Sequence, residues 1–320
     1  MKYCAGVDIG GTTIKIGMID SDGALIAKWE IPTRKGENGL LFMKDIADEI
    51  KRFVEEKDDM TMEDLIGVGM GMPGPVLPDG YMEVCVNLDV HELYPARLLS
   101  ELLGGIKTAL ANDANVAALG EMWQGAGKGQ DSICMVTLGT GVGGGIVNEG
   151  RIVSGMHGAG GEIGHMCVEP GETEVCNCGG HGCLEQYASA TGIVRVAKRK
   201  LASSDRPSRM RDVADLSAKD VCDLAKEGDE LALESLRYSM DRLAFILSHI
   251  ALASDPQMFV IGGGVSKAGT FLTDMISEEM KKYQGIVPMD RYDVALATLG
   301  NNAGIYGAAR LVMPEEADEA

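Results

Sequence analysis

The run from Glu174 to Glu185, EVCNCGGHGCLE, crowds the thiols of Cys176, Cys178 and Cys183 into one glycine-rich stretch. Thiols so placed can form a disulfide, hold a metal ion or act as a redox pair. The N-terminus, MKYCAGVDIGG, lacks the apolar h-region and cleavage site of a secretory leader, so a cytoplasmic setting with reduced thiols is expected. Cys176 and Cys178 are also too close for a relaxed bridge with each other, and C-x-C is not the C-x-x-C of a redox helix. Thiolates gathered in a cytosolic loop most often hold zinc, which takes four ligands. His165, in GGEIGHM just upstream, is the favoured fourth ligand over His181, whose flanking glycines suit a solvated turn equally well. Cys4, Cys85, Cys134, Cys167 and Cys222 are scattered and read as small buried hydrophobes.

Four glycine-rich turns offer a second chemistry: Gly10-Gly11-Thr12-Thr13, Gly71-Met72-Pro73-Gly74-Pro75, Gly139-Thr140-Gly141 and Gly262-Gly263-Gly264. Glycine lets backbone amides approach a ligand closely, and threonine hydroxyls donate to phosphate oxygens. None matches the P-loop or the dinucleotide fingerprint, so a P-loop ATPase and a Rossmann dehydrogenase are both disfavoured. Several such loops converging on one nucleotide from two domains would be a different phosphate cradle.

The elements that must carry these groups alternate between strand and helix. Tyr3–Ile9, Ile14–Ile19 and Ala24–Ile31 read as strands, the last two joined through the Asp22-Gly23 turn. Leu41, Ile46, Ile50 and Phe53–Val54 recur at helical spacing, which predicts a helix over about Gly39–Lys57. Leu65–Gly71 is a buried strand, Val90–Leu103 a helix and Ile106–Ala111 a strand. Ala114–Gln124 is then a helix with Asp113 as N-cap. Ser132–Leu138 and Val142–Asn148 are strands around a Gly-Thr turn, repeating the pattern of Asp8 to Ile19 and suggesting two related halves. Leu184–Leu201 and Asp229–Ala253 read as helices, Met258–Ile261 as a buried strand, and Ala268–Tyr283 and Gly304–Met313 as helices. This alternation argues for an α/β architecture.

The bulk numbers agree with a soluble two-domain protein. The chain has 320 residues, 45% hydrophobic and 24% charged. Its net charge of −19 and acidic tail repel phosphate backbones, so nucleic acid is not an expected partner. No apolar run approaches the ~20 residues of a membrane span.

Taken in order, DIGGTTIK (Asp8–Lys15), GMPGPV (Gly71–Val76), NDANVAALGE (Asn112–Glu121), TLGTGVGGG (Thr137–Gly145), GGEIGH (Gly160–His165) and CNCGGHGCLE (Cys176–Glu185) resemble the ROK family of repressors, unannotated reading frames and sugar kinases. The resemblance runs from the first strand to Gly262-Gly263-Gly264-Val265, and C-x-C-G-x-x-G-C-x-E with an upstream E-x-G-H is its most specific part. It implies a two-domain actin/hexokinase-like (ribonuclease H-like) fold with a cleft between domains. Residues 1–114 plus 300–320 would form the smaller domain and 115–299 the larger. The implied activity is transfer of the γ-phosphate of ATP to a sugar, most like that of the bacterial glucokinases, acting on the 6-hydroxyl of glucose.

A sugar hydroxyl is a poor nucleophile, so the transfer needs a carboxylate to take its proton and a cage to align it. Asp113, at a strand–helix junction beside Asn112, is the expected general base. Glu162, His165 and Glu185 are expected to hold the sugar, with Asn87 and Asn112 nearby, because carboxylates accept from polyol hydroxyls. Cys183 and Glu185 lie two apart, about 200° around a starting helix, so a metal that fixes the cysteine aims the glutamate elsewhere, toward the cleft. His165 would bind zinc through one ring nitrogen and face the sugar with the other. Gly10, Gly11, Thr12, Thr13, Lys15, Gly139, Thr140, Gly141, Gly262, Gly263 and Gly264 would line ATP, with Asp8 acting on phosphate through Mg2+. Structural zinc on His165, Cys176, Cys178 and Cys183 completes the cofactors.

The resemblance further implies a homodimer or homotetramer. Kinases for N-acetylmannosamine, N-acetylglucosamine, fructose or allose, and a non-catalytic sugar-sensing regulator, are the alternatives. A DNA-binding repressor is disfavoured, since the first strand begins at Tyr3 and leaves no room for a helix-turn-helix.

Overall fold

The computed structural model describes residues 2–283 and 285–314. The chain forms two compact units: one takes it up to Gly129, then Gly145–Gly161, then from Asn301 on, and the other takes Gln130–Gly144 and Glu162–Gly300.

In the first unit β1 (Tyr3–Ile9), β2 (Thr13–Asp20) and β3 (Leu25–Pro32) form an antiparallel meander. After α1 (Leu40–Glu55), β4 (Leu65–Met72) lies parallel to β1 on its free side. A hairpin of β5 (Met82–Cys85) and β6 (Val90–Leu93) leads to α2 (Pro95–Leu102), and β7 (Thr108–Asn112) joins parallel to β4. The strand order is β3-β2-β1-β4-β7. The central strand β1, YCAGVDI, is nearly all buried, as a strand covered on both faces must be. At the edge, β3 alternates between half-buried and exposed along LIAKWEIP. From α1, Phe42, Met43, Ile46, Ile50 and Val54 enter the core on one stripe.

The helix expected over Val90–Leu103 is instead the strand β6 followed by α2. Pro95 is the reason. It pushes Tyr94 out of helical geometry (φ −108°, ψ 82°) and, lacking an N–H, serves as the first helical residue.

Beyond α3 (Asp113–Gln124) come β8 (Ile133–Leu138), β9 (Val142–Asn148) and β10 (Arg151–Ile152). The second unit then holds α4 (Glu185–Ala188), α5 (Ala190–Ala202), α6 (Ala218–Lys226), α7 (Glu230–Ser254), β11 (Met258–Gly262), α8 (Thr270–Met280) and β12 (Asp293–Leu296). The second sheet runs β10-β9-β8-β11-β12, with β8, β11 and β12 parallel. The single helix expected over Leu184–Leu201 is broken at Ser189. That residue is extended (φ −68°, ψ 167°), and its Oγ caps α5 by accepting from Gly192 N at 2.9 Å.

The last helix, α9 (Ala303–Arg310), returns to the first unit. It lies on the sheet backbone itself: a Cβ on Gly6 of β1 would sit 1.9 Å from Ile305 O, and one on Gly69 of β4 1.7 Å from Ala308 O. Gly307 in turn faces Val116 O of α3, again with room for no side chain. Because α3 packs along α9 in this way, it falls within the first unit, and the division lies beyond the boundary expected after Ala114.

Candidate active site

In the first unit the turn after β1 is built by its own backbone. Gly10 N donates to Thr13 O at 3.0 Å, and the Thr33 hydroxyl donates to Gly10 O at 2.7 Å. Thr12 is exposed at the tip, and Thr13 opens β2. The β1–β2 register sets Asp8 opposite Lys15, and Lys15 Nζ lies 3.1 Å from Asp8 Oδ2. Asp8 also meets the start of α9, where a Cβ on Gly304 would sit 2.9 Å from its Cγ. Gly11 lies beside Asn87, whose carbonyl oxygen a Gly11 Cβ would meet at 3.6 Å. Asp8, the Gly10–Thr13 turn, Lys15 and the exposed Asn87 therefore share one corner.

At the same edge of the sheet, two strands across at the C-terminal end of the parallel strands, β7 runs into α3. The cap there is Asn112, not Asp113: Asn112 Oδ1 accepts from Ala114 N (2.9 Å) and Asn115 N (3.2 Å). The Asn112 amide donates to Gly74 O at 3.2 Å, which ties the Gly71–Pro75 turn to the helix start. With the cap supplied by its neighbour, Asp113 is the first helical residue, half-buried, its Oδ1 accepting from Ala114 N at 2.9 Å. A carboxylate held at the end of a strand and the start of a helix has a fixed direction, as a positioned base needs.

In the second unit the Gly139–Gly141 turn closes through Gly139 N to Gly141 O at 2.9 Å. It is gripped from α5, with Ala190 N donating to Gly139 O (2.8 Å) and the Thr191 hydroxyl to Thr140 O (3.0 Å). Glu185, the first residue of α4, accepts from Val142 N through Oε2 at 3.0 Å, and a Cβ on Gly141 would sit 2.2 Å from that oxygen. An expected sugar ligand thus lies directly on an expected phosphate turn. The fourth glycine-rich turn follows β11. Gly263, at φ +83°, lies against the end of β8, where a Cβ would be 2.5 Å from Leu138 O. Beside it Gly264, Val265, Ala190, Ala218, Cys222 and Lys267 line a cavity of about 290 Å³. Sequence reasoning missed this cavity, because its walls come from α6 and from the turn after β11, and α6 carries no motif.

The ligand atoms of His165, Cys176, Cys178 and Cys183 all lie within 4.8 Å of one another. Cys178 Sγ is 3.6 Å from Cys183 Sγ, and Cys176 Sγ is 4.0 Å from His165 Nδ1. A zinc tetrahedron with Zn–S near 2.3 Å has edges of about 3.8 Å, so the donor set and spacing fit that ion. His181 is outside the group. His165 Nε2 faces away, 3.9 Å from Glu162 Oε2, and both side chains reach solvent. Burial pushes the Cys183 thiol up to about 12, while the Gly180 N–H lowers that of Cys178. Cys167 departs from expectation: it is exposed rather than buried.

A support for this loop went unread in the sequence. Glu172, its side chain 4% exposed, accepts from Arg199 (2.7 Å), Arg195 (2.9 Å) and the Tyr187 hydroxyl (2.6 Å). The Arg199 hydrogen bonds hold its carboxyl well below the usual carboxylate range. The signal was present as two arginines four apart on α5, a spacing that places both on one helix face.

The ROK family model matches residues 4–315. The chain is similar to a glucokinase of Halalkalibacterium halodurans, 40% identical over 98% of this chain and 96% of that one. An N-acetyl-D-glucosamine kinase of Vibrio cholerae is 30% identical over 96% of this chain and 98% of its own length. Among solved structures, a ROK family glucokinase from Streptomyces griseus, in complex with glucose and AMPPNP, superposes with a TM-score of 0.71. It is 31% identical over 97% of this chain and 98% of that chain.

Proposed function

Because the chain belongs to the ROK family and is an ATP-dependent sugar kinase, we propose that its sugar is glucose and that Asp113 is the general base for transfer to the 6-hydroxyl. The observation that carries this reading is Glu185. Its carboxylate rests on the Gly139–Gly141 turn, two residues from Cys183, so one short segment serves both a polyol-binding group and a phosphate-binding backbone.

Asp113 accepts the proton as the hydroxyl oxygen attacks the γ-phosphorus, and the β–γ bridging oxygen leaves with ADP. Glu162, His165 and Glu185 accept or share hydrogen bonds with the sugar hydroxyls and fix which of them meets the phosphate, with Asn87 and Asn112 adding amide contacts. Backbone N–H groups of the Gly10–Thr13, Gly139–Gly141 and Gly262–Gly264 turns bind phosphate oxygens, and the cavity beside Gly264 and Val265 takes the nucleoside end. Asp8 is the residue to hold Mg2+, which when bound neutralises phosphate charge, and Lys15, with its Nζ 3.1 Å from Asp8 Oδ2, orients that carboxylate. His165, Cys176, Cys178 and Cys183 hold zinc as a structural ion that orders the sugar-binding segment. The protein works in the cytoplasm as a homodimer or homotetramer; no described helix is long and apolar enough to cross a membrane.

The test is Mg2+-dependent ADP release on glucose, N-acetylglucosamine, N-acetylmannosamine, fructose and allose, with Asp113→Ala alongside. Glucose should give the highest kcat/KM, and Asp113→Ala should lower kcat by about 10² to 10⁴-fold while sugar still binds. Preference for an N-acetylated sugar would move the substrate and keep the base. A variant that retains its kcat would remove Asp113 from the chemistry.

A further inference from the structure

We propose that Cys167 and Cys183 form a redox modification site, at which a small-molecule disulfide drives a cross-strand Cys167–Cys183 bond that takes a ligand from the metal group. The inference rests on the zinc and sugar roles proposed above and extends them to a control.

Cys167 and Cys183 are direct antiparallel partners. The flanking hydrogen bonds run from Val168 N to Gly182 O (2.7 Å) and from Leu184 N to Met166 O (2.9 Å). The pair itself exchanges none, so it is a non-hydrogen-bonded pair. At such a position the Cα atoms approach to about 4.5 Å and the side chains stand closest, on the same face. That separation lies inside the range a disulfide accepts, about 4.4 to 6.8 Å between Cα atoms. The close approach of the two segments here needs glycine at 182: a Cβ there would sit 2.0 Å from Glu169 O and 3.3 Å from Cys167 Sγ.

The two thiols differ in access and duty. Cys167 is exposed and outside the group of four, whereas Cys183 is buried and inside it. Cys4, Cys85, Cys134 and Cys222 are all buried, and Cys178, though exposed, belongs to the group of four, so Cys167 is the exposed thiol outside it. An oxidant in solution therefore meets Cys167 before it meets Cys183.

The steps balance as thiol–disulfide exchange. The Cys167 thiolate attacks one sulfur of oxidised glutathione, the S–S bond breaks, and one glutathione thiolate leaves with the electron pair. The Cys183 sulfur then attacks Cys167 Sγ in the mixed disulfide and expels the second glutathione thiolate. Two protein thiols are oxidised and one external disulfide is reduced to two thiols. Cys183 can no longer ligate, three donors remain, and metal affinity falls. Glu185 is two residues away at the start of α4, and Cys183 N is hydrogen bonded to Gln186 Oε1 at 3.1 Å. Reshaping Cys183 therefore acts first on the carboxylate proposed to hold sugar, and less directly on the Gly264–Val265 cavity, whose walls lie on α5, α6 and the turn after β11.

The test treats zinc-loaded protein with excess oxidised glutathione. It follows three readouts: free thiols, metal captured by a chromogenic chelator, and peptides mapped by mass spectrometry. The expected result is a Cys167–Cys183 peptide link, release of one zinc per chain, and a rise of about tenfold or more in KM for sugar, larger than any rise in KM for ATP. Dithiothreitol with added zinc should reverse all three. Cys167→Ser should keep basal activity and retain zinc under the same oxidant. Release of zinc from Cys167→Ser at the wild-type rate, or a link among Cys176, Cys178 and Cys183 alone, would overturn the proposal. A chain that forms the Cys167–Cys183 link but never binds zinc would sink the zinc assignment and leave the thiol pair standing. A chain that holds zinc and resists linkage under excess oxidant would do the reverse.

Discussion

At the scale of single residues, the site is defined as much by missing side chains as by present ones. Gly141 is the clearest case: any Cβ there would lie 2.2 Å from Glu185 Oε2, inside contact distance, so the carboxylate can stay only if the position remains glycine. Gly141→Ala is expected to rotate Glu185 off the Val142 N–H, raising KM for sugar by roughly tenfold, the cost of one charge-assisted hydrogen bond. Steady-state kinetics on both substrates would check this, and an unchanged sugar KM would remove Glu185 from the sugar. The glycine was legible in the sequence as a turn, and Glu185 stood there as an expected sugar ligand. Their contact was not, because nothing in the chain order shows that α4 begins against the start of β9. Asp113 teaches a related point. The strand–Asn–Asp–helix order identified the junction, yet two adjacent residues can both cap, and only the hydrogen bonds of Asn112 to Ala114 N and Asn115 N decide which one does.

Among the elements, the segment from Glu162 to Glu185 has little regular structure and depends on cross-links. One is the group of His165, Cys176, Cys178 and Cys183, proposed to hold zinc, the other the Glu172 latch onto α5. Stripping the metal with a strong chelator is expected to lower Tm and raise KM for sugar more than KM for ATP, as a melt and two titrations would show. An unaltered sugar KM in a verified zinc-free sample would count against the structural role. The latch makes a pH prediction. Arg199 holds the Glu172 carboxyl below its ordinary value, so its ionised form stabilises the fold at every pH above the unfolded value of about 4.3. That contribution fades as pH falls below 4.3 toward the folded value. Glu172→Gln should therefore lower Tm by a few degrees at neutral pH and flatten the fall in Tm between about pH 5 and pH 2. A variant whose acid slope matches the parent would disprove the latch. Helices with a clean apolar stripe, such as α1, were legible at their true bounds within a residue or two. Those that broke, at Pro95 and Ser189, broke where a backbone constraint overrode an apolar pattern that continued through it.

For the whole molecule, the order of segments matters as much as their content. The first unit is assembled from three stretches of chain, and its last contribution is α9, laid on β1 and β4 where Gly6 and Gly69 leave backbone against backbone. Gly69→Ala would force a methyl to 1.7 Å from Ala308 O, and α9 must lift off the sheet. The expected loss is about 3 kcal/mol, at the upper end of overpacking, with kcat falling because Gly304, beside Asp8, belongs to the displaced helix. Chemical denaturation followed by far-UV circular dichroism would check the first effect. No loss of stability would mean that the contact is not held in solution. The alternation of strands and helices announced the α/β class, and the recurrence of strand, Gly-Thr turn and strand announced two halves. That the chain returns to its first sheet after completing its second was legible only through the family resemblance.

That return has a consequence for how the protein is made. Domains usually fold in the order they leave the ribosome. Here β1 to β7 emerge first yet wait for α9, which follows the whole of the second unit in the chain. A chain cut short anywhere before Ala303 lacks the helix that covers β1 and β4 and abuts Asp8. Truncated translation products should therefore be inactive and open to proteolysis, so the cell has no partial enzyme to contend with.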